Sequence, residues 1–181
     1  MVSFKVIVSS IALSSAVLAV PQTNYTGLCY TDITNIDDNI KELTEKVKDF
    51  NGGLFSAVQQ LPLALEATVA TASAGLHSAF LDSPLPVGDL LRLADHVNKT
   101  LAVDSPLAMQ AFVSKESVYE QIGLKGPVHL GLKAYLILFQ QFAKNILDRV
   151  SAGAPKDRSE VLNSDLQIIM DAVRKAIKVY E

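Results

Sequence analysis

Few residues in this 181-residue chain are of types that do chemistry. There are three histidines, His77, His96 and His129. They lie far apart in sequence and fall on different segments, so a metal site or imidazole base would need the fold to gather them. Asp37 and Asp38 are adjacent, and on a helix neighbours point about 100° apart. They read as solvated or first-turn residues that favour a helix dipole, not as an acid–base pair. Lys41, Glu42, Glu45, Lys46 and Lys48 form an ordinary polar face. The nucleophile elbow G-x-S-x-G, the zinc motif H-E-x-x-H and the phosphate-binding loop do not occur. The expectation is therefore a protein that is not an enzyme and holds no metal and no cofactor.

Charge narrows the partners. Sixteen Lys and Arg stand against 19 Asp and Glu, for a net charge of −3. No basic block is present, so nucleic acid is not an expected partner. Tryptophan is absent and aromatics are 7% of the chain, which leaves few platforms for sugar stacking. The apolar fraction of 49% is that of a globular domain.

A single cysteine, Cys29, excludes a disulfide framework and clustered cysteine metal sites. It is either a free thiol buried against the first helix or a link between two chains. Residues 1–19 read as a secretory signal peptide. Lys5 supplies the charge, Val6–Leu18 is apolar, and Val17-Leu18-Ala19 presents small residues for cleavage after Ala19. The apolar run is too short to span a bilayer core of about 30 Å, so no transmembrane anchor is expected. The end of the chain, Arg174–Glu181, is charged and unlike a lipid-anchor signal. Asn24-Tyr25-Thr26 and Asn98-Lys99-Thr100 are glycan acceptor tripeptides, which agree with a secreted glycoprotein and make Asn24 and Asn98 the expected glycosylation sites.

Helical periodicity runs through the rest. We read residues 20–30 as an N-terminal tail and 31–181 as one domain. Ile33, Ile36, Ile40, Leu43, Val47 and Phe50 form one stripe, with Thr31 or Asp32 as the cap and Asn51-Gly52-Gly53 as the stop. A second segment runs from Leu54 to Leu81, with a kink or restart at Pro62. Alanines crowd it, and Leu61, Leu65, Val69, Leu76 and Phe80 supply bulk. A third segment spans Gly88–Lys115, with a restart expected at Asp104-Ser105-Pro106. Ser117–Pro127 reads as a connection. A fourth segment, Val128–Ala152, is apolar over a wide arc, and a fifth, Asp157–Tyr180, has Ser159 as a candidate cap. No alternating strand pattern appears. The fold class is all-α: an antiparallel bundle of about five amphipathic helices.

Apolar excess is the one positive chemical signal. A pocket needs bulk at its rim and small residues at depth. The second segment offers Ala67, Ala70, Ala74 and Gly75, the fourth Leu136, Phe139 and Phe142, and the fifth Ile169, Met170 and Val173. The competing outcome is a solid core, because protein interiors are close-packed.

The order of these features resembles a known family. A leader precedes a first helix carrying Ile33, Ile36, Ile40, Leu43, Val47 and Phe50. A double glycine, an alanine-rich helix, Asp89-Leu90-Leu91 and a Gly123-Leu124 junction follow. This is similar to the hydrophobic surface-binding protein A family of fungi, which includes the Mp1-type cell-wall mannoproteins. The likeness covers about Thr31–Tyr180 and rests on pattern and order. Pro62 and Pro106 depart from the family pattern. The resemblance implies a secreted, extracellular or cell-wall-associated fungal protein without catalysis. It implies a fatty acid or other lipid held in a central apolar cavity between helices. The expected lining is Leu65, Ala70, Leu76, Phe80, Leu136, Phe139, Phe142, Ile169, Met170 and Val173. The alternative is adsorption to hydrophobic surfaces with recruitment of a secreted hydrolase and no preformed cavity.

Overall fold

The computed structural model describes residues 23–181, so the expected signal peptide and its cleavage point lie outside the described residues. Eight helices follow one another: α1 (Tyr25–Lys48), α2 (Leu54–Val58), α3 (Leu61–Ser78), α4 (Val87–Lys99), α5 (Leu101–Ser114), α6 (Glu116–Gln121), α7 (Lys125–Leu147) and α8 (Lys156–Tyr180). They make five rods, since α2 leads into α3, and α4 into α5, while α6 bridges to α7. The all-α bundle expected from the sequence is what forms.

Helix α1 carries the predicted stripe. Ile33, Ile36, Ile40, Leu43, Val47 and Phe50 are all buried. The stripe also extends upstream to Cys29, and the helix starts at Tyr25, inside the stretch read as a tail. The true cap is Asn24, whose Oδ1 accepts from the Gly27 N–H at 2.8 Å. Asp32, a suggested cap, instead lies buried in mid-helix, its Oδ2 2.6 Å from His77 Nδ1 of α3.

The restart at Pro62 is present: α3 takes the proline in its first turn, where no N–H is needed. The second expected restart is displaced. The chain breaks at Thr100 (φ −122°, ψ −93°), and Pro106 sits inside α5. The stretch 117–127 is not a plain connection either. It contains most of α6, then Gly123 at φ +75°, and then the first turn of α7 around Gly126 and Pro127. Ser159 lies in the first turn of α8 and donates back to the Pro155 carbonyl, which leaves it no capping role.

Helix α1 packs on α3, α3 on α7, α7 on α8, α8 on α5, and α5 returns to α1, while α4 leans on α8 and α1. Successive rods alternate in direction. Asp32–His77 and Tyr25–Phe80 pair opposite ends of α1 and α3. Spatial neighbours also include parallel pairs. Along α3 and α7, Gly75 meets the backbone at Leu138 and Phe142, and Ser78 meets Asn145. Along α4–α5 and α8, Asp95 pairs with Arg158, Asn98 with Asp165, and the Phe112 carbonyl with the Tyr180 hydroxyl. Phe139, Phe142, Ile146, Leu162, Leu166, Ile169 and Val173 fill the shared interior and are fully buried.

Polar groups tie the far end of α3 down. Asn145 donates to the Gly75 carbonyl at 2.9 Å and to Ser78 Oγ at 3.1 Å. Arg149 donates to the carbonyls of Leu81 and Ala79 just past the helix. These satisfy carbonyls that a helix end leaves open.

Cys29 is fully buried, so of its two readings the free thiol is the one this fold accommodates. Burial chiefly, with the Asp32 carboxylate adding to it, pushes its pKa up to about 12. A water-soluble disulfide reagent is expected to label Cys29 about a thousandfold more slowly in the native protein than in denaturant, because reaction must wait for opening. Native-state labelling at the rate of a free thiol would mean that α1 does not pack as described.

Candidate functional site: an apolar cleft

One end of the bundle does not close. Here α1 and α5 finish, α3 and α7 begin, and α2 and α6 form a roof. Between them lies a cleft with about 270 Å³ of open volume. That is close to the lower end of the roughly 300–1,000 Å³ usual for ligand pockets. Ile40 and Leu43 of α1 form one wall, and Ala108, Met109 and Phe112 of α5 the next. Ala64, Ala67 and Thr68 of α3 face Val128, Gly131, Leu132 and Tyr135 of α7. Leu54, Val58 and Leu61 stand at the rim, each more than half exposed. Ala67 and Ala108 are buried among the larger Ile40, Met109 and Leu132, while Leu54, Val58 and Leu61 stand at the mouth.

The opening follows from local sequence. Gly52 and Gly53 both take positive φ, 102° and 93°, which turns the chain sharply out of α1. Helix α2 is five residues long, and only Ala57 is buried in it. Gly131 adds no side chain, and a Cβ placed on it would meet nothing within 4 Å.

No charged residue lines the cleft. Its polar side chains are Gln60, Thr68, Tyr119 and Tyr135. Thr68 is satisfied within its own helix, donating to the Ala64 carbonyl at 2.7 Å. The Tyr119 hydroxyl donates to Gln60 Oε1, while its ring stacks on Phe50 at 4.7 Å. Gln60 Nε2 and the Tyr135 hydroxyl are buried without partners. Burial raises the pKa of Tyr119 and Tyr135, so both remain protonated at ordinary pH.

None of the ten expected lining residues borders this cleft. Phe139, Phe142, Ile169 and Val173 are fully buried in the packed interior, with Ala70 and Met170 nearly so. Leu136 is half-buried against that core. Leu65, Leu76 and Phe80 point outward and are 64%, 59% and 57% exposed. Sequence reading placed the bulk of α3 inward, but its small face is the one that packs. Two signals marked the actual cleft: small residues at Ala64, Ala67, Ala108 and Gly131, and a buried glutamine beside a helix break.

The Hydrophobic surface binding protein A family matches residues 28–148, which is more than half of the chain. The chain belongs to that family. No curated protein matches it. Among solved structures, Afmp4p in complex with palmitic acid is 20% identical with a TM-score of 0.77, covering 86% of this chain and all but 1% of its own. Ligand binding domain 2 of the Penicillium marneffei MP1 protein, complexed with multiple arachidonic acids, is 19% identical at TM-score 0.74, covering 85% and 94%. Domain 1 of the same protein, complexed with arachidonic acids, is 13% identical at TM-score 0.75, covering 87% and 99%. At these identities the likeness is one of fold.

Elsewhere in this family member the histidines stay apart. Among the described residues no group of three or more His, Cys, Asp or Glu could hold a metal. His77 pairs with Asp32. His96 stacks on Tyr30 at 3.8 Å between ring centroids, with Nε2 2.8 Å from Thr34 Oγ1. Arg92 lies 4.6 Å from the centroid of the same Tyr30 ring. His129 Nε2 is buried without a partner. Asp37 is buried and bonded to Lys41 at 2.6 Å, while Asp38 is exposed. Asn24 caps α1, and Asn98 Nδ2 donates to Asp165 Oδ2 at 2.9 Å.

Burial first, then the Arg92 charge, lowers the pKa of His96 below its ordinary 6.5. The folded chain therefore binds fewer protons than the unfolded chain just below pH 6.5. Stability gained from this group is present above that value and declines as pH falls through it. His96→Gln is expected to flatten the loss of Tm between pH 7.5 and pH 5.5. An unchanged pH profile would remove His96 from the titration.

Proposed function

We propose that this protein is a secreted, non-enzymatic lipid carrier that holds a fatty acid or other acyl lipid in the cleft at the open end of the bundle. The observation that carries the reading is a cleft lined by apolar side chains and no charge. An acyl chain gains about 0.8 kcal/mol for each methylene it buries there. Family membership and a shared fold with proteins solved in complex with palmitic and arachidonic acids support it. Lining is assigned to the residues around Ala64, Ala108 and Gly131 rather than to those read from the sequence. Among the described residues no helix is long and apolar enough to cross a membrane. The leader and the acceptor tripeptides support an extracellular or cell-wall location. Asn24 is the better glycan acceptor, because a sugar on Nδ2 leaves Oδ1 free to cap α1. Asn98 already commits its amide to Asp165.

A second reading rests on a separate observation. Leu61, Leu65, Val69, Leu76 and Phe80 form a stripe along the outside of α3, and each is more than half exposed. Helix α7 packs beside α3 and leaves Leu130 and Ile137 exposed as well. Exposed apolar area of this kind suits adsorption to hydrophobic surfaces, from which a secreted hydrolase would be recruited.

Gly131→Phe separates the two. The new side chain enters open space at the mouth, and replacing a helical glycine costs the helix nothing. Uptake of a fluorescent fatty acid is expected to fall at least tenfold, with Tm unchanged or slightly higher and adsorption to polystyrene retained. Full uptake by the variant would place the lipid elsewhere.

A further inference from the structure

Helices α3 and α7 run parallel, in a register that their contacts fix. Gly75 sits against Leu138 and Phe142, and Ser78 against Asn145, so a residue of α3 lies beside one 63 to 67 positions further on. Successive residues of a helix turn by about 100°. With Gly75 turned to α7 and Ala74 to the core, Leu61, Leu65, Val69 and Leu76 are turned away from both, and each is more than half exposed. Leu130 and Ile137 of α7 stand on the same outer side, 69% and 65% exposed. Ala72 and Ala134 lie exposed between the two rows. The polar residues there, Thr68 and Gln141, are bonded within their own helices.

Charge is sorted across this face. Of Asp, Glu, Lys and Arg, α3 holds only Glu66, whereas α7 holds only Lys125, Lys133 and Lys144. Lys125 is taken up by Glu116, and Lys144 by Asp148. Among the described residues Glu66 and Lys133 have no ion-pair partner, and both are exposed. Glu66 follows the line of His77, about three turns further on, which bonds Asp32 of α1. It therefore marks the edge of the face next to α1. Lys133 is turned about 140° from Leu138, the residue that meets α3, and so marks the opposite edge. The register sets Glu66 beside positions 129 to 133, which puts the acid and the base at one height along the helices.

Such a face is complementary to itself. A twofold axis parallel to the helices lays α3 of one copy on α7 of the other and brings each Glu66 over the second copy's Lys133. An antiparallel stacking sets like edges together, and a bare apolar surface leaves both charges unpaired. With 18 residues in α3 and two helices about 10 Å apart, the face measures roughly 27 Å by 20 Å. Over two copies that is about 1,100 Å², enough to clear the ~1,000 Å² that a specific interface needs.

We infer that two copies of this chain pair in parallel through the outer face of α3 and α7, with Glu66 and Lys133 bridging the copies at both edges. Both cleft mouths then open at the same end of the dimer. Pairing stands apart from what the cleft holds, and adsorption through the same face requires the copies to separate.

Sedimentation velocity at up to ~100 μM tests this, and a dimer with a Kd on the order of micromolar is expected. Leu65→Glu and Ile137→Glu alter exposed helix positions, so the helical circular dichroism and Tm stay as they were, and each is expected to weaken pairing at least tenfold. Glu66→Lys alone and Lys133→Glu alone are each expected to weaken it about tenfold, because like charges then meet at both edges. The double variant carrying both is expected to return to within about threefold of the original, since the charges are merely exchanged. A protein that stays monomeric over the whole range would overturn the inference. So would a dimer that Leu65→Glu leaves intact, or a double variant no better paired than either single one.

Discussion

Helix α3 fully buries no large side chain. The face it turns to the bundle is Ala67, Ala70, Thr71, Ala74, Gly75 and Ser78. A helix with such a face must come close to its neighbours or leave space, since small residues cannot bridge a normal interaxial gap of 8–10 Å. Both outcomes occur along one helix. At its far end α3 closes on α7: a Cβ on Gly75 would lie 3.8 Å from the Leu138 carbonyl oxygen. Asn145 and Arg149 then hold that end through its carbonyls. At its near end, Ala64 and Ala67 face Gly131 and Ala108, and nothing fills the gap. The cleft is thus the unclosed half of an interface whose other half is tight.

The same constraint puts the leucines outside. Leu61, Leu65, Val69, Leu76 and Phe80 follow one another at intervals of about four or seven, which keeps them on one stripe. With the small face committed inward, that stripe must face solvent, and it does. Helix α3 is therefore a thin apolar wall, with a cleft on one side and water on the other. Carriage in the cleft and adsorption through the stripe draw on opposite faces of a single element.

Much of the fold was legible because α1 and α8 carry strong stripes against charged faces. Ile33 to Phe50 and Leu162 to Ile177 read as buried, and they are, while Val161, read with them, is 43% exposed. Pro62 marked a real restart because proline costs least in a first turn. Pro106 misled for the same reason: it looks like a first turn, yet α5 has already begun at Leu101. The cleft was the least legible part. The rule of small residues at depth and bulk at the rim carries no register along α3, and hydrophobicity alone marks Leu65 and Leu76 as inward, where they are exposed. Only the Gly75–α7 contact reverses them, and that contact depends on residues about 63 positions away.

Depth and charge together limit what the cleft can hold. A sixteen-carbon chain wholly buried at about 0.8 kcal/mol per methylene would gain on the order of 12 kcal/mol, before the costs of ordering and of lost motion are counted. The rim residues Leu54, Val58 and Leu61 remain more than half exposed, so an occupant would also cover apolar surface that now meets water. That gain is available to any acyl chain and discriminates none of them. Selection has to come from the few polar atoms in the lining, where a single unsatisfied hydrogen bond or uncompensated charge outweighs a methylene or two. Gln60, Thr68, Tyr119 and Tyr135 supply those atoms, and none of them stood out in the sequence as a binding residue. They became meaningful once the fold had placed an apolar space among them.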